Sequence, residues 1–404
     1  MSVRSTVLAL VVVNAFSQID RILPFILAES IKRELGLSDT QLGLVNGVAF
    51  AVCHSLLSVP LGRAADQGSP RRLLLGCILV WSLMTSLGGL AGGFLFLALT
   101  RLGVALGEAG TIPIGHAILS RKVPAPRRGL ALGLFSMGIP LGTMLGFAVG
   151  GALQDRVGWR MVLIGTGATG LLVTLLAGWL IGETAAAPAN ASREESLLRS
   201  RVWSLPAFRW LIAGGVLIGF AAPPFYVFSA TFLIRSYGLS AAEVGLTFGL
   251  LQGSLGVVGG VLGGRGYDRA VQAGRDLLLP PAWLLILGGF TTTAALFAGS
   301  ALASVLWMLP GMLSFAFLLP WAYGCAHRLA GPGREAQASS LMGLASGLLG
   351  AALGPVMVGA ISDAATAAHI PNGLGVGLLL VPLASLASGL ACLQANRELN
   401  QGLV

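Results

Sequence analysis

Twelve apolar runs alternate with short polar connections along the chain, at 6–30, 40–61, 73–92, 95–119, 129–153, 160–182, 207–234, 241–263, 277–299, 302–326, 337–361 and 373–394. A run of about 20 apolar residues crosses the hydrocarbon core of a bilayer as a helix. A helix closes every backbone hydrogen bond within the segment, which lipid requires. The pattern predicts an all-α integral membrane protein with twelve transmembrane helices. The first run carries Asp20 and Arg21 and is followed by eleven others, so it reads as a retained span and not a cleaved signal.

The polar connections set the orientation. With the N-terminus inside, eighteen of the 25 Lys and Arg residues fall on the inner side, five on the outer side, and Arg21 and Arg101 lie within spans. This bias predicts both termini in the cytoplasm. Only Lys32 and Lys122 are lysines, a usage typical of GC-rich genomes, and a bacterial inner (plasma) membrane is the expected location. Residues 183–206 form the longest polar stretch and read as a cytoplasmic linker between an N-terminal six-helix half, 1–182, and a C-terminal six-helix half, 207–404. Within it, Arg193 to Trp203 reads either as a short amphipathic surface helix, with Leu197, Leu198 and Trp203 on its apolar side, or as solvated chain.

Composition removes several function classes. The chain is 55% hydrophobic and 10% charged, against about 25% charged in soluble domains. The net charge of +9 is spread over short loops, which argues against a nucleic-acid partner. Cys53, Cys77, Cys325 and Cys392 each lie inside an apolar run without paired spacing, as small core residues do. No Gly-x4-Gly-Lys motif, catalytic triad or metal-ligand spacing occurs. The expectation is a monomeric membrane protein that is not an enzyme, has no cofactor other than a proton gradient, and engages membrane lipid and a small-molecule or lipid substrate.

The two halves repeat. At an offset of 202, Gly36-Leu37-Ser38 matches Gly238-Leu239-Ser240, Gly62-Arg63 matches Gly264-Arg265, and Asp66 matches Asp268. At an offset of 208, Gly142, Gly146, Gly151 and Asp155 match Gly350, Gly354, Gly359 and Asp363. Both repeats have six spans and start on the same side, so they are parallel pseudo-repeats. That is the architecture of the major facilitator fold.

The segment Gly62 to Arg72, GRAADQGSPRR between spans two and three, resembles the signature loop of the major facilitator superfamily, with Gln67 replacing its usual basic residue. Gly62, Asp66, Arg71, Arg72 and the second-copy Asp268 are therefore candidates for a cytoplasmic gate or latch. Gly62 permits close helix approach, and Asp66 can cap a helix or pair with a base. Within the superfamily, residues 14–160 resemble the Spinster family and its bacterial relatives. The matching elements are Asp20-Arg21, Leu35 through Gly43, Trp81-Ser82, Arg101 with Gly107-Glu108-Ala109, Gly138 through Gly142, and Gly158-Trp159-Arg160. Ala105 and His54 depart from it, where the family tends to have Gly and Tyr. Proton-coupled organic-anion symporters share the four charges, and the Trp-Ser and Gly-Glu-Ala context favours the Spinster resemblance.

A charge near the bilayer centre costs at least ~2.5–3.5 kcal/mol on insertion scales, so it faces protein or a cavity. Asp20 and Arg21 lie mid-span in the first run, and Arg101 and Glu108 lie seven residues apart in the fourth. Seven residues is close to two turns, which puts the latter pair on one helix face, whereas adjacent Asp20 and Arg21 point about 100° apart. The four charges predict a network in which Asp20 and Glu108 are the proton-responsive acids and Arg21 and Arg101 the substrate or network bases. The alternative is a static salt-bridge cluster. His54 and His116 are intramembrane and are either cavity residues or structural ones. Glu29 reads as a solvated end charge.

In the fifth span, Gly138, Gly142, Gly146 and Gly150 recur every four residues and form a flat face, either a moving seam between the halves or a tight packing surface. Span seven is expected to present an apolar wall with Phe220, Phe225, Tyr226 and Phe228, and Pro223-Pro224, Pro310 and Pro320 are expected to kink spans seven and ten. One charged wall and one apolar wall suit an amphipathic substrate. The Spinster resemblance implies a secondary active transporter working by alternating access on a lysolipid-like or sphingolipid-like or other organic anion. Two alternatives are a proton-coupled symporter of sugar-acid-type anions and, from another class, a lipid scramblase or channel without proton linkage.

Overall fold

The computed structural model describes residues 3–124, 128–182, 205–330 and 341–401. The Arg193–Trp203 stretch, Arg127 and Arg334 lie outside the described residues, as do the side chains of Asp66 and Arg128. Every described element is helical. In order these are α1 (Val3–Ile26), α2 (Ala28–Leu35), α3 (Asp39–Gly43), a π-helical turn (Leu44–Ala49), α4 (Phe50–Gln67), α5 (Pro70–Gly88), α6 (Phe94–Glu108), α7 (Thr111–Lys122), α8 (Arg128–Ser136) and α9 (Gly138–Leu180). After the linker come α10 (Pro206–Tyr237), α11 (Ala241–Gln272), α12 (Leu279–Leu296), α13 (Ala301–Ala330), a second π-helical turn (Ser346–Ala351), α14 (Ala352–Ala367), α15 (Gly373–Leu378) and α16 (Leu380–Gln401).

Among the described residues, eleven helical stretches are long and apolar enough to cross a membrane, and one of them, Leu130–Leu180, runs for 51 residues. At 1.5 Å per residue that length is enough for two crossings. Gly158 breaks it with φ +77°, a conformation that disfavours a Cβ. The count is then the twelve spans the hydropathy predicts. Trp179 and Phe297 stand 72% and 74% exposed, as side chains solvated by lipid do.

Local signals explain the element ends. The left-handed Gly36 closes α2, and Ser38 with Gln41 forms a capping box that opens α3. Ser69 caps α5, with Pro70 in its first turn. The chain divides into two compact units. Unit 1 comprises Met1–Asn190 with Gly238–Gly253, and unit 2 comprises Ala191–Tyr237 with Ser254–Val404.

In unit 1, the glycine row of α9 packs α1. A Cβ on Gly138 would lie 2.9 Å from the Ala15 nitrogen, one on Gly146 3.1 Å from Ile22 Cβ, and one on Gly150 2.5 Å from Leu23 Cδ2. The other side of α9 meets the start of α11. There Phe147 and Phe248 pack edge to face at 5.4 Å, and Asp155 Oδ2 accepts from the Ala242 backbone N–H at 2.8 Å. The four-residue glycine row is thus a surface for α1, and the contact with the second repeat's helix uses Gly151 and Phe147.

In unit 2, α10 crosses the second π-helical turn at Gly219, where Gly350 and Gly354 leave room for its backbone and for Pro224. Helix α10 continues through Pro223 and Pro224, and α13 through Pro310 and Pro320.

Candidate functional site

The buried charges are concentrated in unit 1. Among the described residues, the buried charged residues are Asp20, Glu29, Asp39, Arg101 and Glu108. Glu29 is 8% exposed and paired with Arg33 at 2.8 Å, so it is not the solvated end charge that its position suggests.

Helices α1, α4, α5 and α6 bring Asp20, Arg21, His54, Thr85 and Glu108 together. Arg21 Nε donates to Glu108 Oε2 at 3.2 Å, and Arg21 Nη2 lies 2.9 Å from His54 Nε2. An arginine can only donate, so His54 Nε2 accepts and the ring proton sits on Nδ1. Asp20 turns away from Arg21, as a 100° step along a helix requires. Its Oδ2 accepts from Thr85 Oγ1 of α5 at 2.7 Å, and it is 1% exposed.

Arg101 is 6% exposed, and its Nε–H has no acceptor among the described residues. Its guanidinium lies over Phe50 at 5.1 Å, and that of Arg21 lies over the same ring at 4.8 Å. The four charges therefore do not form a closed network of ion pairs. They form one ion pair, Arg21–Glu108, one hydroxyl-to-carboxyl hydrogen bond, Thr85–Asp20, and two guanidinium groups on one aromatic ring.

Accessibility separates these residues. The Arg21 side chain is 29% exposed, whereas that of Glu108 is fully buried. Beside Arg101, a cavity of about 20 Å³ is lined by Asn46, Thr85 and Thr100 on its polar side and by Pro24 and Leu97 on its apolar side. That is room for about one water. Asn46 enters it from the π-helical turn, an element that recurs at functional sites. Thr85, Phe50 and Asn46 had no signal in the sequence beyond lying within apolar runs.

The remaining candidates are dispersed. His116 is exposed and meets Phe135 edge to face at 5.6 Å, apart from the Arg21 cluster. In unit 2, Phe225 and Phe228 are 1% and 0% exposed and pack inside the core, where Phe225 contacts Phe315 at 5.7 Å. Phe220 and Tyr226 keep partial exposure.

At the signature loop, Gly62 packs against Pro113, to which its Cβ would come within 3.3 Å, and Arg71 Nη2 donates to the Gly178 carbonyl at 2.5 Å. Arg72 contributes its backbone N–H to the Ser69 cap and is otherwise exposed. The loop carbonyls of Ala65 and Gly68 accept from Arg121 of α7 at 2.8 and 3.2 Å, a contact absent from the sequence expectations. Asp268 is exposed.

On the opposite side of unit 1, Glu34 accepts from Trp159 Nε1 at 2.6 Å and from Arg160 Nε at 2.7 Å. These bonds hold its carboxyl below the usual range. Arg160 also donates to the Gly89 and Ala91 carbonyls at 3.0 and 2.7 Å. The Gly158-Trp159-Arg160 element thereby fastens α2, α5 and α9 together.

Known proteins resemble this chain in sequence and fold. The profile of the Major Facilitator Superfamily matches residues 8–355. An MFS-type efflux pump of Mycolicibacterium smegmatis is 34% identical over 396 residues, which is 95% of this chain and 90% of that protein. Protein spinster homolog 1 of Xenopus laevis is 26% identical over 399 residues, covering 89% of this chain and 73% of that one. The crystal structure of a bacterial homolog of the human lysosomal transporter Spinster, inward-facing and unoccupied, superimposes with a TM-score of 0.86 at 23% identity, covering 98% of this chain and 99% of that one.

Proposed function

This chain belongs to the Major Facilitator Superfamily, and we propose that it is a proton-coupled secondary transporter of an amphipathic organic anion, working by alternating access. It is related to the Spinster transporters in sequence and fold, and its role is transport and not chemical conversion. The observation that carries the finer reading is the Arg21–Glu108 pair, in which the base is 29% exposed and the acid is fully buried.

The coupling follows from charge balance. Asp20, Arg21, Arg101 and Glu108 sum to zero when all are ionised. An anion that pairs with Arg21 removes the partner that offsets the buried Glu108 charge. An uncompensated buried charge costs about 3–5 kcal/mol, so Glu108 takes a proton to restore neutrality. By linkage, a proton on Glu108 releases Arg21 and raises affinity for the anion by the same factor. Anion and proton bind together on this reading. His54, as a neutral acceptor, holds Arg21 in place while Glu108 changes state. Asp20 is the second proton-responsive acid, connected to α5 through Thr85.

A lysophospholipid or sphingolipid-like anion carries the anionic headgroup that pairs with Arg21. The Arg121-bound signature loop, with Gly62 and Arg71, forms the cytoplasmic latch, and both termini lie in the cytoplasm of a bacterial inner membrane.

A second reading is export in exchange for protons, which the Mycolicibacterium efflux pump favours. There the substrate displaces the proton instead of joining it. Proteoliposome uptake of a lysophospholipid panel and a sugar-acid panel separates the two. Co-transport requires an outside-acidic gradient to drive uptake, and exchange requires an inside-acidic one. Uptake insensitive to either gradient contradicts both and leaves a channel or scramblase.

A further inference from the structure

A groove of about 1230 Å³ lies within unit 2, where the end of α11, the 273–278 connection and the start of α12 meet α13 and the end of α16. Its lining combines two exposed arginines, Arg269 and Arg275, with the apolar side chains of Leu262, Leu279, Phe317 and Trp321. We propose that this groove binds an anionic phospholipid of the surrounding bilayer, its phosphate between Arg269 and Arg275 and its upper acyl chains along Leu262 and Phe317.

Three observations select that occupant. The first is charge. Neither arginine has an ion-pair partner among the described residues. The carboxylate that shares the lining, Asp276, directs its Oδ1 to the amides of Asn396, at 3.0 Å, and Asn400. Those bonds hold its carboxyl below the usual range. The groove thus carries two open positive charges against one occupied negative one, and basic pockets of this kind take acidic headgroups.

The second is the wall. Leu262 is 49% exposed and Leu279 37% exposed, both on membrane-length helices, so the neighbour of this surface is lipid. A free phosphate would use the arginines and leave the apolar wall bare. The third is the floor. Trp321 is 2% exposed, stands edge to face with Tyr267 at 5.8 Å, and has no acceptor for its indole N–H among the described residues. An aromatic floor of this kind suits an acyl chain and offers nothing to a free phosphate. The chain's own linker is a poor occupant, because residues 193–201 carry Arg193, Arg199 and Arg201 against Glu194 and Glu195.

The test is native mass spectrometry of the full chain in non-ionic detergent, titrated with phosphatidylglycerol, phosphatidylcholine or inorganic phosphate. Phosphatidylglycerol is expected to bind more tightly than phosphatidylcholine, and millimolar phosphate is expected not to displace it. The double variant Arg269→Gln/Arg275→Gln should lose about 30-fold in affinity for phosphatidylglycerol, the equivalent of ~1 kcal/mol per basic group at an anionic surface. Arg269→Lys/Arg275→Lys should keep most of it. Both arginines are exposed, so the thermal midpoint without lipid should stay put and report intact folding. Equal affinity for the two lipids, displacement by phosphate, or unchanged binding by the Gln variant would overturn the proposal.

Discussion

Arg21 and Asp20 are neighbours in sequence and opposites in environment. Arg21 reaches across to Glu108 at 3.2 Å with its side chain 29% exposed, while Asp20 is 1% exposed and held by Thr85 at 2.7 Å. A single 100° step along the helix thus separates a part-exposed base from an acid sealed in protein.

The Thr85 hydroxyl is predicted to matter through one bond. Thr85→Val keeps the shape and leaves a buried carboxylate oxygen without its donor, which costs about 1–3 kcal/mol. The thermal midpoint in detergent should fall, and proton-driven uptake should weaken, whereas Thr85→Ser should restore both. A Val variant as stable as the wild type would show that Asp20 does not depend on this contact.

The glycine row of α9 makes a steric prediction. A Cβ on Gly142 would lie 2.7 Å from Gln18 Cβ and run into the Ala15 carbonyl. Gly142→Ala should destabilise by about 1–3 kcal/mol through overpacking. Gly165, on the same helix, has nothing within 4 Å of its Cβ position. Gly165→Ala should be neutral or stabilising by up to ~1 kcal/mol. Thermal unfolding of the two variants side by side checks the contrast.

Glu34 gives a pH signature outside the spans. Its carboxyl is held below its ordinary value of 4.5 by hydrogen bonds from Arg160 and Trp159. A depressed folded-state value means that the contribution to stability is present above the unfolded value and is lost as pH falls through the folded one. Wild type should therefore exceed Glu34→Gln in thermal midpoint at neutral pH, and the gap should close below about pH 4.5. A gap that is constant with pH would rule out the ionised carboxylate as its source.

Much of this was legible in the sequence for physical reasons. Span number follows from hydropathy, because lipid demands helices of fixed length, and the four intramembrane charges stand out because they are costly there. Their pairing was not legible. Equal numbers of acids and bases suggested mutual neutralisation, but the partner of Asp20 is the hydroxyl of Thr85, and Arg101 rests on Phe50. A threonine or phenylalanine inside an apolar run carries no mark of such a role. The glycine periodicity of α9 identified a close-packing face without identifying its partner, which is α1. Arg121 looked like an ordinary inner-loop charge, yet it donates to the Ala65 and Gly68 carbonyls of the signature loop.

The latch reading predicts a kinetic effect for that residue. Arg121→Ala removes two donors from the loop and should lower the transport rate while leaving substrate affinity nearly unchanged. Arg121→Lys, with one point charge in place of a fork, should recover only part of the rate. Initial rates and Kd for both variants decide the matter, and an equal loss of rate and affinity would place Arg121 in the binding site instead.

On the proposed coupling, anion binding at Arg21 draws a proton onto Glu108. Calorimetric titration of the purified protein with a lysophospholipid anion, repeated in buffers of different ionisation enthalpy, measures protons taken up per anion bound. Uptake of about one proton per anion is expected in the wild type and none in Glu108→Gln, with affinity rising as pH falls only where Glu108 is present. Proton release on binding, or the same uptake in Glu108→Gln, would contradict it.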